Sequence, residues 1–130
     1  MVIVDSSVWI EYFRGTKHPE TEWLDRELHR QPLGITDLIL CEVLQGTSDS
    51  AVQKVQSELL RLNIFQNCSL PLAVAAAHNY RVLRRRGYTV RTTVDCLIAT
   101  FCVENTHRLL HRDRDFDVFE SVLGLEVIHA

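Results

Sequence analysis

Three consecutive β-branched residues, Val2, Ile3 and Val4, open the chain, and a carboxylate, Asp5, ends the run. An apolar run without polar alternation has no solvent face, so it predicts a short strand covered on both sides, as in a parallel sheet. A charge directly behind such a strand stands at the carboxyl edge of the sheet, where open α/β proteins place their functional crevice. This tetrapeptide therefore constrains both the architecture and the place where chemistry is expected.

The rest of the chain repeats the pattern. Ser6 or Ser7 is placed to cap a helix whose apolar side carries Val8, Trp9, Tyr12 and Phe13, and Gly15 ends it. A second helix starts near Pro19, a strand follows at Leu33 to Thr36, and Asp37 to Gly46 reads as a helix apolar around nearly its whole circumference, hence buried. Asp49 opens an amphipathic helix, Ile64 and Phe65 form a weak strand, and a long helix runs from about Pro71 to Arg86, with Gly87 as its stop. Thr92 or Thr93 caps an apolar helix through Leu97, Ile98 and Phe101. The strings "RLLH" and "LEVIH" supply the last two of about five strands. Strands alternating with helices predict an α/β fold with a central, mostly parallel sheet, because right-handed crossovers return each strand in the same direction. With 130 residues, 46% of them hydrophobic, the chain is expected to be a single domain over 1–130.

Composition narrows the function classes. With 17 acidic and 14 basic residues and a formal charge of -3, the chain is no polycation, so any nucleic-acid surface must be local. Cys41, Cys68, Cys96 and Cys102 show no close CxxC spacing, which argues against a zinc knuckle or a disulfide scaffold and for free, mostly buried thiols. No basic leader precedes Val2 and no apolar run is long enough for a bilayer, so a cytoplasmic protein without membrane association is expected.

Four acidic residues sit beside core segments: Asp5, Glu42 in "LILCEVL", Asp95 in "TTVDCLIA" and Asp113 behind "RLLHR". An unpaired carboxylate in such a place is costly to desolvate and tends to take up a proton. Convergence of several at about 4 Å costs on the order of 4 kcal/mol per like-charge pair at an effective dielectric of 20, and a divalent cation relieves it. Oxygen ligands without a His or Cys cluster favour Mg²⁺ or Mn²⁺, ions that also accept phosphate oxygens. The chemistry this suggests is phosphodiester hydrolysis. Each aspartate also has an ordinary reading: Asp5 as a helix cap, Asp95 as a first-turn residue favoured by the helix dipole, Asp113 as the start of a turn. Glu42, in mid-helix, has none. Asp115 is a further candidate ligand, and Asp117 is expected to face solvent.

The strings "VIVDSSVWIEYF", "CEVLQG", "TVRTTVDCLIA" and "HRDRDF", in this order, resemble a PIN-domain ribonuclease of the VapC toxin type over almost the whole chain. The resemblance implies a PIN-like three-layer α/β/α sandwich in which Asp5, Glu42, Asp95 and Asp113, with Asp115 in addition, bind Mg²⁺ or Mn²⁺. It also implies cleavage of single-stranded or loop RNA, a homodimer, and inhibition by a cognate VapB-type antitoxin laid across the active-site groove, within a larger toxin-antitoxin assembly. Arg84, Arg85, Arg86, Arg91, Arg112 and Arg114 are candidates for a phosphate-attracting rim, the triplet being equally suited to a helix C-terminus. His111 is a candidate general acid or a structural histidine, and a hydroxyl among Ser6, Ser7, Thr92 and Thr93 is placed to orient a metal-bound water or to cap. Trp9, Tyr12 and Phe13 read better as core or partner face than as a base-stacking patch. The alternative to a nuclease is a metal-binding PIN-fold interaction module without turnover. A DxD-type phosphatase is disfavoured because "DSS" lacks the second aspartate, and a phosphoacceptor module because Lys17 and Lys54 are poorly placed.

Overall fold

A computed structural model describes all 130 residues, Met1–Ala130. Four parallel strands, β1 (Val2–Val4), β2 (Leu33–Thr36), β3 (Asn63–Phe65) and β4 (Arg108–Leu110), form one sheet in the order β3-β2-β1-β4. The helices are α1 (Ser6–Phe13), α2 (Pro19–Glu27), α3 (Asp37–Gln45), α4 (Val52–Leu59), α5 (Leu70–Arg85), α6 (Thr93–Glu104) and α7 (Asp117–Leu123), with a 3₁₀ turn at Arg114–Phe116. One helical group joins α1 to α2 and α3, and α3 to α4; the other joins α5 to α6 and α7. The sheet lies flanked by helices, as the alternation of elements requires.

Val2, Ile3 and Val4 are wholly inaccessible to solvent, and β1 is one of the two inner strands, with partners on both sides. The register sets Ile3 beside Gly34 and Leu109. Glycine at position 34 has a steric reason: a Cβ there would meet the Phe65 ring at 2.9 Å and Ile3 Cδ1 at 3.0 Å. The fifth expected strand is reduced to one parallel bridge, Leu109 to Val127, held by Leu109 N to Glu126 O and Ile128 N to Leu109 O, both 2.9 Å. Gly124, at φ +75°, ends α7 and turns the chain into this segment.

Several local expectations are corrected. The cap of α1 is Asp5 itself, which accepts from Ser7 N, while Ser6 and Ser7 are the first helical residues. The expected threonine cap of α6, by contrast, is present, and it is Thr92. The amphipathic helix starts at Val52 rather than Asp49, because residues 48–51 form a turn first. Helix α3 is not buried all round: Ile39 and Val43 are, but Leu38, Leu40 and Leu44 are half-buried and Cys41 is exposed, since this helix is covered on only part of its surface. All four cysteines are free, but only Cys96 and Cys102 are buried; Cys41 and Cys68 are exposed. No helix is long and apolar enough to cross a membrane.

Candidate active site

The carboxyl ends of β1 and β4 meet at Asp5, whose backbone N–H donates to Leu110 O at 2.9 Å. Beyond them the segment after each of β1, β2 and β3 supplies one acidic side chain and the turn after β4 supplies two. Asp5 follows β1, Glu42 lies on α3, Asp95 sits in the first turn of α6, and Asp113 and Asp115 lie in the turn after β4. Asp95, Asp113 and Asp115 each present a carboxylate oxygen within 4.8 Å of the others. Asp5 and Glu42 belong to the same electrostatic neighbourhood. Burial pushes Glu42 up to about 7, and Asp5, Asp95 and Asp113 add to the rise; burial pushes Asp95 up to about 6, with Asp5, Asp113 and Asp115 adding to it. Asp5, only 3% exposed, is also held above the ordinary carboxylate range by burial, against the pull of Ser7.

Local hydrogen bonds set how these groups point. The Ser7 hydroxyl donates to Asp5 Oδ2 at 2.6 Å and Ser7 N donates to the same oxygen at 3.0 Å, so Oδ1 is left buried without a partner. The same hydroxyl accepts from Arg112 N at 2.9 Å and so ties the start of α1 to the loop that carries Asp113. The Ser6 hydroxyl donates to Glu42 Oε1 at 3.1 Å. Thr92 Oγ1 accepts from Asp95 N, and Asp113 Oδ1 accepts from Asp115 N at 2.9 Å. The capping roles of Asp5 and Asp113 and the first-turn position of Asp95 are thus compatible with ligand duty, because a cap engages one oxygen of a carboxylate and leaves the other for another partner.

Little positive charge answers this cluster. Arg91 Nε lies 3.5 Å from Asp115 Oδ1, with the arginine side chain 69% exposed. Arg112 is committed to Glu20, 3.1 Å away, and Arg114 is exposed in the 3₁₀ turn. Arg84 sits over the Tyr80 ring at 5.8 Å in the last turn of α5, and Arg85 and Arg86 are exposed beside it, complementing the helix end. His111 accepts from Asp113 N through Nδ1, and its buried Nε2 has no partner; burial holds it below the ordinary histidine value although carboxylates pull the other way. Asp117 is exposed, as expected.

Sequence reasoning missed Asn67, fully buried at the end of β3, where its backbone N donates to Asp37 Oδ1 and its side chain donates to Leu97 O. It ties α3 to α6, the two helices carrying Glu42 and Asp95. Its one signal was a polar residue just past a strand at the same sheet edge. Trp9, Tyr12 and Phe13 pack on one another, Trp9 stacking on Phe13 at 5.7 Å. Tyr12 and Phe13 border an open cleft of about 940 Å³ toward α2 and α4, to which none of the five clustered carboxylates contributes.

Fold and site together define a parallel-sheet protein with a carboxylate cluster beyond the strand ends that could hold a metal ion. The PIN domain family matches residues 2–121. The chain is 33% identical over 132 residues to the VapC ribonuclease Mb1587 of Mycobacterium bovis and equally to ribonuclease VapC11 of Mycobacterium tuberculosis, covering 97% of this chain and 96% of each relative. The crystal structure of VapBC2 from Rickettsia felis, bound to a DNA fragment from its promoter, is similar in fold, with a TM-score of 0.75, 17% identity and 98% of both chains covered. The chain belongs to the PIN-domain family, among its VapC ribonucleases.

Proposed function

We propose that the protein is a metal-dependent endoribonuclease that hydrolyses RNA phosphodiester bonds as the toxin of a type II toxin-antitoxin pair. The observation that supports this reading is that Asp95, Asp113 and Asp115 bring carboxylate oxygens within 4.8 Å of one another, with the charges of Asp5 and Glu42 in the same neighbourhood and a single weak cationic contact. The donor set fits a hard divalent ion, Mg²⁺ with Mn²⁺ as a substitute: it is all oxygen, and the buried, unpartnered Oδ1 of Asp5 is the kind of atom such an ion satisfies. Asp5, Glu42, Asp95 and Asp113 would hold it, with Asp115 as an additional ligand. When bound, the ion supplies charge stabilisation at the phosphoryl group and a more acidic water.

The chain's own groups supply the rest. Ser7 fixes Asp5 through Oδ2, and Ser6 fixes Glu42 through Oε1, so the remaining oxygens are presented without rotamer search. Glu42, near 7 without the ion, can hold a proton at neutral pH and release it once the repulsion is relieved. Arg91 and Arg114 stand exposed around the cluster and attract the RNA backbone, while the remaining candidate arginines extend that field. The relatives named as VapC ribonucleases support RNA as the substrate, and the likeness in fold to a chain of a VapBC complex supports a VapB-type antitoxin as partner. A homodimer is part of the proposal. Cytoplasmic location follows from the same reading.

The test is cleavage of purified RNA by the full chain. Activity with Mg²⁺ or Mn²⁺ that disappears with EDTA and in a folded Asp95→Asn variant is the expected result. Persistent activity in EDTA would overturn the reading, and ion binding without cleavage would favour a non-catalytic binding module. Sequencing the ends of the cut RNA then identifies the target and the P–O bond broken.

A further inference from the structure

Arg91 is the one arginine whose side chain reaches a member of the acidic cluster, and its placement suits two partners. It lies in the α5–α6 connection directly before Thr92, whose hydroxyl caps Asp95 N; from there it reaches across to Asp115 in the turn after β4. It therefore lies between the two segments that bring Asp95 to Asp113 and Asp115. The contact is an ion pair of 3.5 Å between an arginine 69% exposed and a carboxylate 21% exposed. An exposed pair of this kind is weak and easily exchanged. A planar guanidinium, unlike an ammonium, matches the oxygens of a phosphate as well as it matches a carboxylate.

Were Asp115 to hold a divalent ion, Arg91 would lose its carboxylate partner and be repelled by the ion's charge. An RNA phosphate arriving at the same place offers the displaced guanidinium a new anion. We propose that Arg91 is a transferable clamp: it pairs with Asp115 in the ion-free site and passes to a phosphate of single-stranded RNA when the ion takes Asp115. This rests on the nuclease reading and adds a coupling to it. Ion and RNA each remove the obstacle to the other, and such coupling is reciprocal.

The clamp makes opposite predictions for the two ligands of Arg91→Ala. Mn²⁺ titrated into the full chain without RNA, followed by calorimetry, binds at least as tightly as to wild type, because Asp115 has lost its competitor. In steady-state cleavage of a short fluorescein-labelled single-stranded oligoribonucleotide, KM rises about tenfold while kcat changes much less, and the salt slope of kcat/KM falls by about one. Arg91→Lys keeps the charge without the fork and recovers only part of KM. A merely structural arginine would weaken Mn²⁺ binding on removal, and that result, or an unchanged KM, would overturn the clamp while leaving wild-type cleavage intact. If wild type itself failed to cleave with Mn²⁺, the nuclease reading would fall, and the clamp with it.

Discussion

Strand β1 and the residue behind it are neighbours in sequence and opposites in energetics. Val2, Ile3 and Val4 are fully buried with both sheet edges paired, whereas Asp5, equally buried, carries an oxygen without a partner and a carboxyl group held above its ordinary range. The same boundary recurs at β4, where Leu109 and Leu110 are fully buried and Asp113 and Asp115 follow within a few residues. Along one strand direction the protein changes from a region that stabilises the fold to one that strains it. Stability and chemistry are thus divided between the apolar body of the sheet and its acidic edge, and the two should respond to mutation independently.

The sharpest test of this division is Asp95→Asn. Losing a ligand at the acidic edge should cost several kcal/mol of transition-state stabilisation, about a thousandfold in RNA cleavage. Thermal stability in EDTA should hold or rise, because one carboxylate leaves a repulsive cluster; a large drop in Tm would show that Asp95 belongs to the body. Ile3→Ala is the converse. It empties a fully buried position against Gly34 and should cost about 3 kcal/mol in urea unfolding. Mn²⁺ binding to the folded fraction should be unchanged, since Ile3 offers no ligand atom. A third experiment joins the two regions. Mn²⁺ at a hundred times its Kd should stabilise wild type and Ile3→Ala alike by about 2.7 kcal/mol, and Asp95→Asn much less, as read from Tm with and without EDTA. Equal stabilisation of all three would mean that the ion binds elsewhere.

The body of the sheet was legible because its signals are local. An uninterrupted β-branched run, a Thr cap before an apolar helix and glycine stops each need only a few neighbouring residues. Asp5, Glu42, Asp95 and Asp113 stood out as candidates for a related reason, since a charge embedded in a core segment is conspicuous without knowledge of its partners; the structure brings Asp95 and Asp113 together, with Asp115. What sequence could not supply was the set of long-range polar contacts. Nothing local shows that Ser7 would both hold Asp5 Oδ2 and accept from Arg112 N, or that Arg91 would meet Asp115 while Arg112 turned to Glu20. Burial on the far side of an element was equally hidden: the apolar composition of α3 suggested complete cover, but whether a Leu or Cys is covered depends on which helices arrive later in the fold. The terminal "LEVIH" had the composition of a strand and obtained a single bridge, because pairing needs a neighbour in register along its length.

The finest distinction between body and edge is a pH dependence. Glu42 has an ordinary value of 4.5 and stands at about 7 in the folded chain, raised by burial first and by Asp5 next. Below 4.5 the group is protonated in both states, and its contribution to stability is fully present. As pH rises from 4.5 to about 7 the unfolded chain releases the proton while the folded chain retains it, so folding loses ground until the folded group also ionises. Asp95 acts in the same direction from 3.8 to about 6, and His111, held below 6.5 by burial, acts in the opposite one. Comparing wild type with Glu42→Gln in EDTA cancels much of both. Between about pH 5 and about pH 8 the unfolding free energy of the Gln variant, from urea titration, should gain on wild type by on the order of 1 kcal/mol, a figure that includes the screening of a half-buried carboxylate. Saturating Mn²⁺ should reverse the trend, because the ion binds the ionised glutamate and loses a ligand in the variant. A gap that stays constant with pH in EDTA would place Glu42 outside the strained edge, and would leave the repulsion to the aspartates alone.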